Sequence, residues 1–177
     1  MKEKAVQLNR KNTLMELKEL KKKIFKKENF LFLIIILIIF FSDRFSKITI
    51  LNNYSDNTFY VNNFINFNLI WNTGIGFGFF SSNSPFIYNL ISCIIFSIII
   101  FLAYFSFKSD KYEKIIFSFI IGGAIGNFYD RLVYNAVPDF IDFHLENFHW
   151  FTFNVADIFI TIGIFLYVLK GVFNKSL

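Results

Sequence analysis

Four apolar runs constrain this chain more than anything else in it. Phe86–Phe107, Ile115–Tyr129 and Phe153–Val172 approach the roughly 20 residues a helix needs to cross a bilayer. Phe30–Phe41 is shorter, about 18 Å at 1.5 Å per residue. It must continue through "SDRFSKITIL", or begin among Ile24 and Phe25 with Lys26 and Lys27 snorkelling, in order to cross. Composition agrees: 55% of the 177 residues are hydrophobic, 28 are Phe and 18% are charged. A soluble domain of this length carries more charge and less Phe. The expected fold class is an all-α membrane protein with four transmembrane helices.

An even number of spans brings both termini to one side, and charge decides which. Fifteen of the eighteen basic residues precede Phe30, lie between the second and third runs, or lie at the C-terminal end, where Lys170 and Lys175 stand. Arg44, Lys47 and Arg131 are left for the other side. By the positive-inside rule both termini are cytoplasmic. The basic start is not read as a cleaved signal peptide, because no small-x-small site follows Phe41.

Two units are expected. Residues 1–28 form a basic extension. Thr13 and Glu16 fit a capping box, and Leu14, Leu17, Leu20 and Ile24 recur at helical spacing, so it reads as an amphipathic helix on the anionic inner leaflet. The alternative is a solvated tail. Residues 29–177 hold the four spans. In the first outer loop, Phe67, Leu69 and Trp71 alternate with Asn66, Asn68 and Ile70, which predicts a short strand and hence a small extracytoplasmic β-element. Gly74, Gly76 and Gly78 predict a tight loop after it. The second outer loop, Arg131–Thr152, holds His144 and His149. No cluster of metal-site spacing accompanies these histidines. Cys93 lies inside an apolar run and excludes an intramolecular disulfide. Gly122 and Gly126 form a G-x-x-x-G pair suited to close helix packing.

Two carboxylates stand out. The third span runs outward to Asp130, and the fourth runs inward with Asp157 one turn from its start. Both aspartates therefore sit near the outer face. An ionisable residue in a span costs at least about 2.5 kcal/mol, so a pair at one depth demands a reason. Two close carboxylates share protons, and an aspartic protease uses such a pair as base and acid. Each has an asparagine three residues before it, Asn127 and Asn154. Asp43 and Lys47 are i, i+4 and can pair on one helix face. Two rivals remain: an ion or proton relay and a scaffold without chemistry. A relay needs polar groups continuing along the spans. After Asp157 only Thr161 intervenes before Tyr167, and before Asn127 the last is Ser118.

The pieces "GGAIGNFYDRL" and "FNVADIFITIG" resemble the two catalytic motifs of the lipoprotein signal peptidases, the signal peptidase II family. The match is to Gly-Asn-x-x-Asp-Arg at Gly126–Arg131 and Phe-Asn-x-Ala-Asp at Phe153–Asp157. "VPDFIDF" resembles the family's Val-x-Asp-Phe element, "WNTGIGFG" its Asn-x-Gly loop and "DRFSK" its element after the first span. Ile75 and Gly76 stand where the family usually has two alanines. The resemblance implies an aspartic endopeptidase that needs no cofactor or metal and cleaves prolipoproteins before a diacylglyceryl-modified cysteine. It implies Asp130 and Asp157 as the catalytic pair, surrounded by Asn127, Arg131, Asn154 and Ala156. Asn72, Gly74, Asp43 and Lys47 would shape the substrate site. Asp139 and Asp142 are read as loop residues. Expected partners are the lipid-modified substrate and membrane lipid, with no nucleic acid, and the chain is expected to act as a monomer. The expected location is a bacterial cytoplasmic membrane, multi-pass, with the active site at the extracytoplasmic face.

Overall fold

The computed structural model describes residues 10, 13–15, 17, 18, 27–55, 57–74, 84–146 and 148–174. Four long helices carry a four-stranded antiparallel sheet. In chain order the elements are α1 (Lys27–Asn53), β1 (Phe59–Asn62), β2 (Ile65–Asn72), α2 (Pro85–Lys108), α3 (Lys111–Tyr134), β3 (Val137–Leu145), β4 (Phe148–Phe153) and α4 (Val155–Asn174). By length and composition, α2, α3 and residues Val155–Phe173 of α4 are long and apolar enough to cross a membrane. α1 is one continuous helix of 27 residues, so Asp43, Arg44 and Lys47 are helical and follow directly on the Phe30–Phe41 run. The 1–28 extension lies mostly outside the described residues, as do Gly76 and Gly78. Of the extension, Arg10, Thr13–Met15, Leu17 and Lys18 are helical and exposed.

Local sequence explains where the helices begin and end. Pro85 opens α2 at a position where its missing N–H costs nothing. Asp110 caps α3 by accepting from the Glu113 N–H at 2.9 Å. Its carboxyl lies below the ordinary carboxylate range, chiefly because Lys170 donates to it and then because of that backbone bond. At the other end Asn135 takes the left-handed conformation, φ 54°, and α3 stops.

α3 is the central helix and packs against α1, α2 and α4. Small residues make this possible. A Cβ on Gly122 would lie 3.0 Å from the Ile39 side chain, and one on Gly126 would lie 2.6 Å from Asp43 Oδ2. The G-x-x-x-G face therefore receives α1. Gly123 faces the other way, where a Cβ would meet the Ala156 carbonyl of α4 at 2.5 Å. Lipid-facing helices keep apolar surface outside and gain by such close backbone approach. Ile36, Ile99, Phe117 and Ile121 form the buried cluster where α1, α2 and α3 meet. Cys93 is free and exposed on α2.

The sheet runs β1-β2-β3-β4. The expected strand over Phe67–Trp71 is the middle of β2. The second outer loop is not a loop: Val137–Leu145 and Phe148–Phe153 are strands, joined by a turn with Glu146 at φ 52°. The third span also continues past Asp130 to Tyr134. In β3, alternate residues Val137, Asp139, Ile141 and Phe143 share a face, a period of two that Pro138 and two aspartates disguise. β3 pairs with β2 so that Ile70 faces Asp139 and Asn72 faces Val137. This pairing carries Asp139 back over the ends of α3 and α4.

Candidate active site

The polar groups converge where the C-terminal ends of α1 and α3 and the N-terminal end of α4 meet β3. Two connected clusters form there, one neutralised by cations and one held by amides.

The first cluster joins α1 to α3. Asp43 and Lys47 do pair at i, i+4, with Nζ 2.9 Å from Asp43 Oδ2. The same ammonium donates to Asp130 Oδ2 at 2.6 Å and to Asn127 Oδ1 at 2.9 Å. Its three donors are thus all used. Arg44 lies 2.6 Å from Asp130 Oδ1 and over the Tyr129 ring, 4.9 Å from its centroid. Asp43, Lys47 and Asp130 have no exposure at all. Two carboxylates face two cations, so the buried charges balance.

The second cluster surrounds Asp157. Asn154 is the N-cap of α4 and Asp157 its third residue. The Asp157 N–H donates to Asn154 Oδ1 at 3.1 Å, and the Asn154 N–H donates back to Asp157 Oδ2 at 3.2 Å. This is a reciprocal capping box, and it explains the Asn-x-x-Asp spacing physically. Asp157 Oδ1 accepts from Asn127 Nδ2 at 2.8 Å. The Ala156 N–H, another orphan donor of the first turn, is satisfied by Asp43 Oδ1 at 3.0 Å across the helix interface.

Asn127 does not bond to Asp130 as its i, i+3 spacing suggested. It spans the two clusters, with its oxygen on Lys47 and its amide on Asp157. Among the described residues no hydrogen bond joins Asp130 to Asp157.

Asp139, read from the sequence as a loop residue, belongs instead to the second cluster. Asn154 Nδ2 donates to its Oδ1 at 2.5 Å, and Asn72 Nδ2 donates to its Oδ2 at 2.8 Å. Asn154 therefore holds both Asp139 and Asp157. Burial pushes the Asp139 carboxyl up to about 7, and the negative Asp157 adds to the rise. The two amide donors work against that rise and do not cancel it. Asn72 also caps its own turn, accepting from the Gly74 N–H at 2.8 Å. Arg131 is buried. It donates to the Gly74 carbonyl at 2.6 Å and to the Asn127 carbonyl at 3.0 Å. It braces the Asn72–Gly74 turn against α3 and does not snorkel.

Every site residue named from the sequence lies in or beside these clusters. Arg44 and Asp139 were the two that residue reasoning passed over. The histidines lie apart on the β3–β4 hairpin, with His149 Nδ1 2.8 Å from Asp142. Among the described residues no group of three His, Cys, Asp or Glu side chains can hold a metal ion.

A family model described as signal peptidase (SPase) II matches residues 35–173. A lipoprotein signal peptidase of Pelagibacter ubique is 50% identical over 157 residues, which cover 87% of this chain and 95% of that one. One from Thermodesulfovibrio yellowstonii is 45% identical over 108 residues, 61% of this chain and 71% of its own. Among solved structures, a bacterial membrane enzyme determined by the in meso method at 2.3 Å superposes with a TM-score of 0.69 at 29% identity. That match covers 82% of this chain and 90% of that one.

Proposed function

The chain belongs to the signal peptidase II family, and on that premise we propose that it removes signal peptides from prolipoproteins by aspartic-protease chemistry at Asp139 and Asp157. The observation that carries this reading is the Asn154 side chain and backbone, which hold the two carboxylates to one asparagine. The sequence pointed to Asp130 as the partner of Asp157. Asp130 has two buried cations on it, and neighbouring positive charge favours its ionised form over one that can donate a proton. Asp139 has amide donors only and titrates near 7, where an acid works best at neutral pH.

In this reading Asp139 is the protonated member. It donates to the scissile carbonyl oxygen as a water molecule attacks the carbonyl carbon. Asp157 takes a proton from that water. The C–N bond then breaks, and the leaving amine takes a proton from the pair. Asn127 and Asn154 fix the Asp157 carboxylate from two sides. The cation-bearing cluster fixes Asn127. The leaving side of the bond is the amine of a diacylglyceryl-modified cysteine.

We place α1 in the membrane as the fourth span, both termini in the cytoplasm and the sheet outside. The distribution of basic residues and the continuity of α1 support this. The membrane is the bacterial cytoplasmic one. The protein works there as a monomer, without metal or cofactor.

The test is cleavage of a diacylglyceryl-modified prolipoprotein peptide by the purified chain in detergent micelles. Asp139→Asn and Asp157→Asn should each show no turnover while remaining folded. Wild-type turnover by Asp139→Asn would return the partner role to Asp130. Turnover by Asp157→Asn would remove the aspartic mechanism altogether.

A further inference from the structure

α2 is held to the rest of the molecule mostly by apolar contact. Ile99 packs in the buried cluster with Phe117 and Ile121, and Phe96 stacks on Phe128. Among the described residues, one hydrogen bond joins α2 to another element: the Tyr88 hydroxyl donates to the Arg131 carbonyl at 3.0 Å. Tyr88 is buried, so the bond is shielded from water. Arg131 stands in the last turn of α3, where a helix frays unless something holds it.

Any movement of that turn is passed on by Arg131. Its guanidinium donates to the Asn127 carbonyl one turn back at 3.0 Å, which fixes the side chain along α3. It also donates to the Gly74 carbonyl at 2.6 Å. β2 ends at Asn72, so strand pairing no longer holds the chain beyond it. The turn that follows is closed by the Gly74 N–H on Asn72 Oδ1 at 2.8 Å. Asn72 Nδ2 in turn donates to Asp139 Oδ2, also at 2.8 Å. Four hydrogen bonds thus run from the Tyr88 hydroxyl to the Asp139 carboxyl through Arg131, Gly74 and Asn72. Every residue along this path is buried.

We infer that Tyr88 is a positioning residue for the reaction, setting through Arg131 and Gly74 where Asn72 holds the Asp139 carboxyl. The inference deepens the reading above and rests on Asp139 being one of the two reacting carboxylates. The Tyr88 hydroxyl bonds to a backbone carbonyl and to neither carboxylate. Tyr88→Phe keeps the ring and its packing and removes only the donor. The buried Arg131 carbonyl then lacks that donor, the last turn of α3 relaxes, and Asn72 is held less firmly against Asp139. A reacting group displaced by a fraction of an ångström loses rate without losing substrate. The Asn72 amide favours the ionised carboxyl, so a looser amide lets Asp139 keep its proton to higher pH.

The experiment uses the full chain in detergent micelles and compares Tyr88→Phe, Asn72→Ala, the double variant and Ile91→Val. Ile91 is buried on α2 one turn from Tyr88, so Ile91→Val loosens packing and leaves the hydrogen bonds in place. Each variant is read for kcat and KM on a diacylglyceryl-modified prolipoprotein peptide. Each is also read for the titration of the Asp139 carboxyl by infrared difference spectra, assigned with Asp139→Asn. Asn72→Ala should move that titration up by about one unit, the scale of one hydrogen bond to a charged group. Tyr88→Phe should move it the same way by less, and should lower kcat about tenfold with KM within about twofold. The double variant should match Asn72→Ala in both readouts, because Tyr88 acts through Asn72. Ile91→Val should move neither. A lowered unfolding temperature with an unshifted titration in Tyr88→Phe would make Tyr88 a packing residue and overturn the inference. Additive effects in the double variant would overturn it too. The expected titration shifts with no cleavage by the wild-type chain would sink the catalytic reading and leave the path from Tyr88 to Asp139 standing.

Discussion

Asp130 and Asp139 are both buried carboxylates, yet the same substitution should move them in opposite directions. Asp130→Asn leaves Arg44 and Lys47 sharing Asp43 alone, and breaking a buried ionic group of this kind costs about 3–5 kcal/mol. Thermal unfolding in detergent should show that loss at neutral pH, together with lost cleavage. Asp139 is different because its folded-state carboxyl titrates near 7, against about 3.9 in an unfolded chain. Between those values the folded state holds more protons, so wild-type stability falls as pH rises from about 4 to about 7. Asn cannot ionise, so Asp139→Asn should abolish cleavage yet unfold at a higher temperature above pH 7, by about 4 kcal/mol at three units of pKa. The gain should vanish near pH 4. If both variants lose stability alike at pH 8, the distinction between the two carboxylates is wrong. Wild-type activity should also decline as pH rises through about 7, because Asp139 must enter the reaction protonated; a rate still rising at pH 9 would contradict its role as the acid. The sequence marked Asp157, Asn154 and Asn127 because their chemistry is unusual for a span. It could not tell Asp130 from a carboxylate without counter-charge, because a charge in a span looks the same from sequence whether or not a cation lies on it. The cations are 83 and 86 residues upstream in α1, and no periodicity reveals that contact.

At the scale of elements, α4 begins where it does because of one asparagine. Asn154→Ala removes the side-chain half of the capping box and the donor to Asp139. The cap alone is worth about 1 kcal/mol, so a modest drop in unfolding temperature is expected. The loss of turnover should be far larger, since Asp139 loses a donor and Asp157 an ordered backbone. Equal proportional losses in stability and rate would reduce Asn154 to a cap. The glycines of α3 give a second contrast. Gly126→Ala puts a methyl within 2.6 Å of the Asp43 carboxylate and must displace it from Ala156 and Lys47. Gly171→Ala meets nothing within 4 Å and should be neutral or slightly stabilising, by up to about 1 kcal/mol from helix propensity. Matched melting curves for the two would undo the account of α3 as the helix that needs small residues. Helices, caps and the G-x-x-x-G pair could be read ahead of the structure because each signal lies within one element. β2 was recognised by its Phe67–Trp71 alternation. β3 was not, because its period of two carries two aspartates and a proline, and only pairing with β2 makes it a strand.

For the molecule as a whole, orientation is testable with one cysteine. Cys93 is exposed on a lipid-facing helix, so Cys93→Ser should be mild and give a thiol-free background. A cysteine introduced at His149, on the exposed hairpin, should react with an impermeant maleimide from outside intact spheroplasts. One at Ser109, between α2 and α3, should react only after the membrane is opened. The reverse order would put Asp139 and Asp157 on the cytoplasmic side, where exported prolipoproteins are not processed. The buried ionic group that ties α1 to α3 also bears on how the chain is made. As a ribosome delivers it, α1 arrives with two cations and a single carboxylate, because Asp130 is 83 residues away and not yet synthesised. With α1 as the fourth span proposed above, its C-terminal end cannot settle in the bilayer alone. Until α3 arrives, that end must stay hydrated or be sheltered by the insertion machinery. The first long helix to emerge is therefore the one whose lodging is completed late, and the centre proposed at Asp139 and Asp157 is assembled only once α3, β3 and α4 have all followed it.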